Sequence, residues 1–221
     1  MNEIELKSIW QSYQSKIEQT LAINKQNTDE ILKMKVHSLL SSMKPIKIFT
    51  LIAGLVWSIP LAFMLINVFI FSYSEVSLFF LYSASIQVLL TLIATIMYIY
   101  QLNLIYNIDF STPILTMQER LAKLKISTLW AARILFLQLP VWTTFYLTRS
   151  TLMEGNTLLL LLQGLVTFLF AYAGIWLFIN IDYKNRGKKW FQLIFKGREW
   201  TPLMQSMELL SQIEEYKIEN K

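Results

Sequence analysis

The chain has no cysteine, one histidine and six glycines among its 221 residues. Without cysteine there are no disulfides, no thiolate metal sites and no cysteine nucleophile. His37 has no second ligand at metal spacing and reads as a solvated helix residue. Six glycines leave little material for a phosphate-cradling loop, and neither such a loop nor a nucleophile elbow occurs. No pair of carboxylates falls inside an apolar run. An enzyme is therefore not the reading, and no cofactor or metal is expected.

Charge is also scarce, and unevenly so. Charged residues make up 16% of the chain, against roughly 25% in soluble domains. Residues 48–74, 76–108 and 156–181 carry no charge, and 129–148 carries only Arg133. Apolar runs of about 18 or more residues with so few charges read as transmembrane helices. The expected fold is all-α: a four-helix transmembrane bundle with cytoplasmic amphipathic helices at both termini and in the middle loop. The spans are placed at about 48–71, 76–99, 129–148 and 157–181, within a domain of residues 45–181, with 109–128 a loop helix. Residues 1–44 form a helical tail, and 182–221 a basic juxtamembrane segment with a final helix. The first 47 residues are too polar for a cleavable signal, so the first span is expected to act as the insertion signal.

Leu6, Trp10, Tyr13, Ile17 and Leu21 recur at steps of three and four, which places them on one helical stripe. Residues 24–28 interrupt the pattern. Thr28 followed by Asp29 and Glu30 then looks like a helix start, and Leu32, Val36, Leu39 and Met43 form a second stripe. The tail is thus expected as two helices, the second ending at Lys44 and Pro45. In the first span Gly54, Ser58 and Ala62 give a small-residue packing face, with a kink at Pro60. The second uncharged run, 33 residues long, exceeds one bilayer thickness and is read as a span followed by a wet helical extension. Along it Ser83, Gln87, Thr91 and Thr95 form a polar stripe, read as bonding to neighbouring helices rather than lining a pore.

Thr112 and Pro113 look like a helix start, and no breaker separates that helix from the third span. The third span is the least ordinary, because Arg133, Gln138 and Pro140 lie inside it. Arg133 reads as a side chain reaching for the headgroups from a helix end. A buried pair with Asp109, or with Gln101 and Asn103, is the sharper alternative. Gln138 and Pro140 require satisfaction by other protein groups. The fourth span carries Gly164, Thr167, Ala171 and Gly174 along one side. After it Lys184, Arg186, Lys188, Lys189, Lys196 and Arg198 are interleaved with Trp190, Phe191, Ile194, Phe195 and Trp200, a pattern for an interfacial helix on anionic headgroups. Nucleic acid is not the expected partner. The final helix has a stripe of Leu203, Met207, Leu210 and Ile213.

Orientation follows from lysine and arginine. There are seven through Lys47, three in the middle loop and eight after residue 181, but only Arg149 in the two short turns. Both termini and the middle loop are expected in the cytoplasm, with the chain in the cell's inner membrane.

Three stretches carry a resemblance: Lys7, Ser8, Ile9 and Trp10; Ser41, Ser42, Met43, Lys44 and Pro45; and Phe136, Leu137, Gln138, Leu139, Pro140, Val141, Trp142, Thr143 and Thr144. With these the chain resembles a group of small, uncharacterised bacterial four-span membrane proteins, often encoded beside extracytoplasmic-function sigma factors. The resemblance implies a membrane-bound regulator of the anti-sigma kind. Two functions are carried forward. The first is a membrane scaffold or regulator that docks a cytoplasmic protein, with Leu6, Trp10, Tyr13 and Ile17 as the partner face. On this reading the stripe competes with packing on the chain's own C-terminal helix. The second is a small oligomeric transporter or channel subunit, resting on the polar stripe from Ser83 to Thr95, the kinks at Pro60 and Pro140, and Arg133; the intramembrane polar residues are Gln87, Thr91, Arg133 and Gln138.

Overall fold

The computed structural model describes residues 3–108 and 114–219, with the side chains of 3–6, 8, 9, 11, 22, 25, 29, 114, 152, 154 and 213–219 left aside. Asp109, Thr112 and Pro113, and the side chains of Leu6 and Ile213, lie outside the described residues. What is described is helical, and four of the helices are long and apolar enough to cross a membrane.

The first helix, α1, runs unbroken over Glu3–Phe71. Its 69 residues make a rod of roughly 100 Å at ~1.5 Å per residue. The expected break at residues 24–28 is absent. Thr28 does not cap a new helix; its hydroxyl donates to the Asn24 carbonyl one turn back, at 2.9 Å. The Gln26 side-chain amide donates to the Glu30 carboxylate one turn ahead, at 3.1 Å. These polar residues satisfy themselves along the helix surface, so they decorate it rather than end it. Nor does the tail stop at Pro45. Each internal proline, Pro45 and Pro60, removes one backbone bond, but side chains on either side of Pro45 are clamped. Met43 and Lys47 are both fully buried against other helices.

The chain then returns through α2 (Leu78–Tyr106). Its last turns are less wet than the sequence suggests: Gln101 is fully buried and Ile105 nearly so. Beyond the undescribed loop, α3 (Ile114–Phe136) carries the loop helix into the third span as one rod. It ends where Leu137 and Gln138 donate to Ile134 and Leu135, three residues back, a tightening typical of helix ends. A short α4 (Leu139–Thr144) resumes with Pro140 in its first turn, where a missing donor costs nothing. The turn after it is itself helical, α5 (Arg149–Glu154), capped by Thr148. Asn156 caps α6 (Thr157–Asn180), whose end leads through a 3-10 turn, Tyr183–Asn185, to α7 (Lys189–Phe195) and α8 (Trp200–Glu219).

Packing is strongest outside the spans. The larger core joins Val36, Leu40 and Met43 of α1, Met117, Leu121 and Leu124 of α3, Phe191 and Phe195 of α7, and Leu203 and Leu210 of α8. A smaller core of Leu65, Leu81, Ala84 and Val88 sits between the far halves of α1 and α2. The span α6 leans on α3 and α4 and exposes most of its leucines and phenylalanines, as a helix bathed in lipid would. Its contact with the third span is close. A Cβ on Gly174 would lie 2.9 Å from the Phe136 carbonyl oxygen, so glycine is what allows α6 to approach the α3–α4 break.

Candidate functional site: a charged collar between the spans and the helical layer

Where α1 enters its span, Lys47 is fully buried. Its ammonium donates to Gln101 Oε1 at 2.6 Å and to Glu199 Oε2 at 3.2 Å. It also lies 5.0 Å from the centre of the Tyr98 ring, within range of a cation–π contact. The Tyr98 hydroxyl stands 3.4 Å from both oxygens of Glu199. Three separate elements meet here: the start of the first span, the end of the second, and the residue that leads into α8. Gln101 Nε2 is buried without a partner, so the cluster has one unused donor.

A second ionic contact sits on the neighbouring pair of spans. Arg133 Nε donates to the Ile181 carbonyl at 2.6 Å, and its NH2 group lies 3.3 Å from Asp182 Oδ2. The guanidinium is 4.9 Å from the Trp130 ring, and the side chain is 16% exposed. Arg133 is therefore paired, and its partner is Asp182, not Gln101 or Asn103: Gln101 is taken by Lys47. Asp182 was not among the partners expected from the sequence, all of which lie before the third span. The signal was present, since Asp182 is the first charge after the fourth span, and antiparallel spans bring it level with Arg133. The contact also satisfies a carbonyl at the end of α6.

The intramembrane polar residues face other helices. Gln138 Nε2 donates to Thr91 Oγ1 at 3.0 Å, and Ser83 shares a 2.7 Å bond with Thr144. Thr143 donates to Thr167 at 3.0 Å, tying α4 to α6. Gln87 is buried, with its Oε1 unpartnered. The unpaired hydroxyl of Ser58 is likewise buried.

The basic segment divides by side-chain type. Lys184, Arg186, Lys188, Lys189, Lys196 and Arg198 are exposed. The aromatics between them turn inward: Phe191 stacks on Phe195 at 4.4 Å, and both lie against Trp200 at 5.5 and 5.3 Å. Trp190 is half-buried, edge-on to Trp176 of α6 at 5.0 Å. The apolar side chains that α7 offers outward are Leu193, 86% exposed, and Ile194, 38% exposed.

No protein-family model, curated protein or solved structure matches the chain. Its chemistry must be read from geometry. Among the described residues no three carboxylate or imidazole groups cluster as a metal site. Of the stripe expected to meet a partner, the described residues are exposed: Trp10 is 71%, Tyr13 65% and Ile17 58% exposed, and α8 packs farther along α1, around Val36 and Leu40.

Proposed function

We propose that the chain is an integral membrane scaffold that regulates a cytoplasmic protein by docking it on the projecting part of α1. The observation that carries this is the exposed stripe of Trp10, Tyr13 and Ile17 at the end of a helix anchored by its own span. An aromatic and aliphatic stripe in water does not stabilise an isolated helix, and such anchors fit the groove of a partner. The same helix is covered where α8 lies on it, so the uncovered part is left for another molecule. The lysine and arginine distribution favours a cytoplasmic side for this end of the molecule. The resemblance to proteins encoded beside sigma factors makes such a factor the partner, with this chain holding it at the inner membrane as an anti-sigma factor. The exposed lysines and arginines of residues 184–198 rest against anionic headgroups, at ~1 kcal/mol each near the surface.

The protein, purified from membranes of cells that co-express an extracytoplasmic-function sigma factor from the same genome, tests the reading. Trp10→Ala removes an anchor of the kind that dominates docking, and the retained sigma factor should fall at least ~30-fold, the equivalent of ~2 kcal/mol. Thermal unfolding should change little, because Trp10 is 71% exposed. Undiminished capture by the variant would remove the stripe from the interface.

A further inference from the structure

The corner between α7 and α8 borders a cleft of about 300 Å³ against α2 and α3. One wall is apolar, formed by Leu135, Phe136 and Ile194, and one end is polar, formed by Tyr98, Arg198 and Glu199. Arg198 also borders a second cleft of about 490 Å³ on the α1 side, whose apolar lining includes Ile46 and Phe49. Both clefts stand at the height of Lys47, where the first span begins. Charge at this corner is unbalanced. Lys47 and Glu199 pair with each other, whereas Arg198 has no carboxylate partner among the described residues. The positive N-terminus of α8, beginning at Trp200, lies beside it and favours an anion.

We propose that this corner binds one diacyl glycerophospholipid, its phosphate on Arg198 and an acyl chain in each of the two clefts. The Arg198 guanidinium supplies paired donors for a phosphate oxygen, and the α8 N-terminus adds its field. The two apolar clefts, sharing the same arginine, match the two chains of one lipid rather than a free anion. The placement at the bilayer boundary supplies such a lipid without a search.

Native mass spectrometry of the full-length protein, released from membranes in mild detergent, reads the site directly. One phospholipid per chain should persist in the wild type. It should fall at least ~10-fold in Arg198→Gln, whose side chain is exposed and whose fold is therefore secure, and recover in part in Arg198→Lys. Ala132→Phe, which fills the cleft from α3, should also release the lipid; its helical circular dichroism is recorded alongside. After delipidation, added diacyl phospholipid should raise the melting temperature of the wild type but not of Arg198→Gln. Equal lipid retention in wild type and Arg198→Gln would overturn the proposal. So would the same rise in melting temperature with inorganic phosphate alone, which would make this a site for a free anion.

Discussion

Lys47 shows how one buried charge can define a structure. Its ammonium is removed from water, which is costly, and two acceptors from two different elements offset that cost. Replacing it with methionine should destabilise the protein by less than the ~3–5 kcal/mol of a fully buried pair, because Glu199, left without its cation, is still 23% exposed. The double variant Lys47→Met with Glu199→Gln should lose clearly less than the sum of the two single changes, since neither charge is left behind. Equilibrium unfolding in mixed micelles reads this coupling, and strict additivity would mean that the two residues do not stabilise each other. None of this was legible in the sequence. A lysine one residue before an apolar run reads as a charge flanking a span, and only the fold brings Gln101 and Glu199 to it. Arg133 was half legible: its place near a helix end invited both a snorkelling reading and a paired one. The pair it makes needed the register between the third and fourth spans.

Among whole elements, the four apolar runs were readable because periodicity and charge both act over many residues, and the long rod of α3 followed from the lack of a breaker. Pro140 marked the third span as unusual, and the helix breaks just before it, after Phe136. The continuity of α1 was not readable. Polar residues at 24–28 carry the same signature whether they end a helix or bond back along it, as Thr28 does to Asn24. The aromatic residues of α7 misled in a related way: interleaving with lysine suggests a lipid-facing surface, yet Phe191 and Phe195 supply the corner's own core. The contact of α6 with the α3–α4 break makes an element-scale prediction. Gly174→Val adds branched carbon where even a Cβ would lie 2.9 Å from the Phe136 carbonyl oxygen. Backbone cannot yield as a side-chain tip can, so overpacking should cost about 1–3 kcal/mol. Gly164→Val, with nothing within 4 Å of its added Cβ, should cost far less. Paired unfolding measurements decide it, and equal losses would show that helix propensity, not the approach, governs both sites.

At the scale of the molecule, the collar ties the threading to the fold. Lys47, Gln101 and Glu199 meet at one point, and Arg133 meets Asp182. The start of the first span, the end of the second, the start of the third and the end of the fourth therefore lie at the same end. The N-terminal rod, the middle loop and α8 must share a side of the membrane, whichever side that is. The basic-residue count adds the choice of side: eighteen lysines and arginines in those three segments against one in the two short turns point to the cytoplasm. Cysteines at Ser74 and Asn156 should then be labelled by an impermeant thiol reagent in intact cells. Those at Ser15, Thr116 and Ser211 should label only after permeabilisation, and the absence of native cysteine keeps the background clean. The two ingredients fail differently. If all five positions exchange sides together, the charge argument is wrong and the fold stands. If Ser15 and Ser211 label on opposite sides, the contact between Lys47 and Glu199 does not exist in the membrane. The projecting stripe of α1 would then lose the covered anchor from which its docking role was argued.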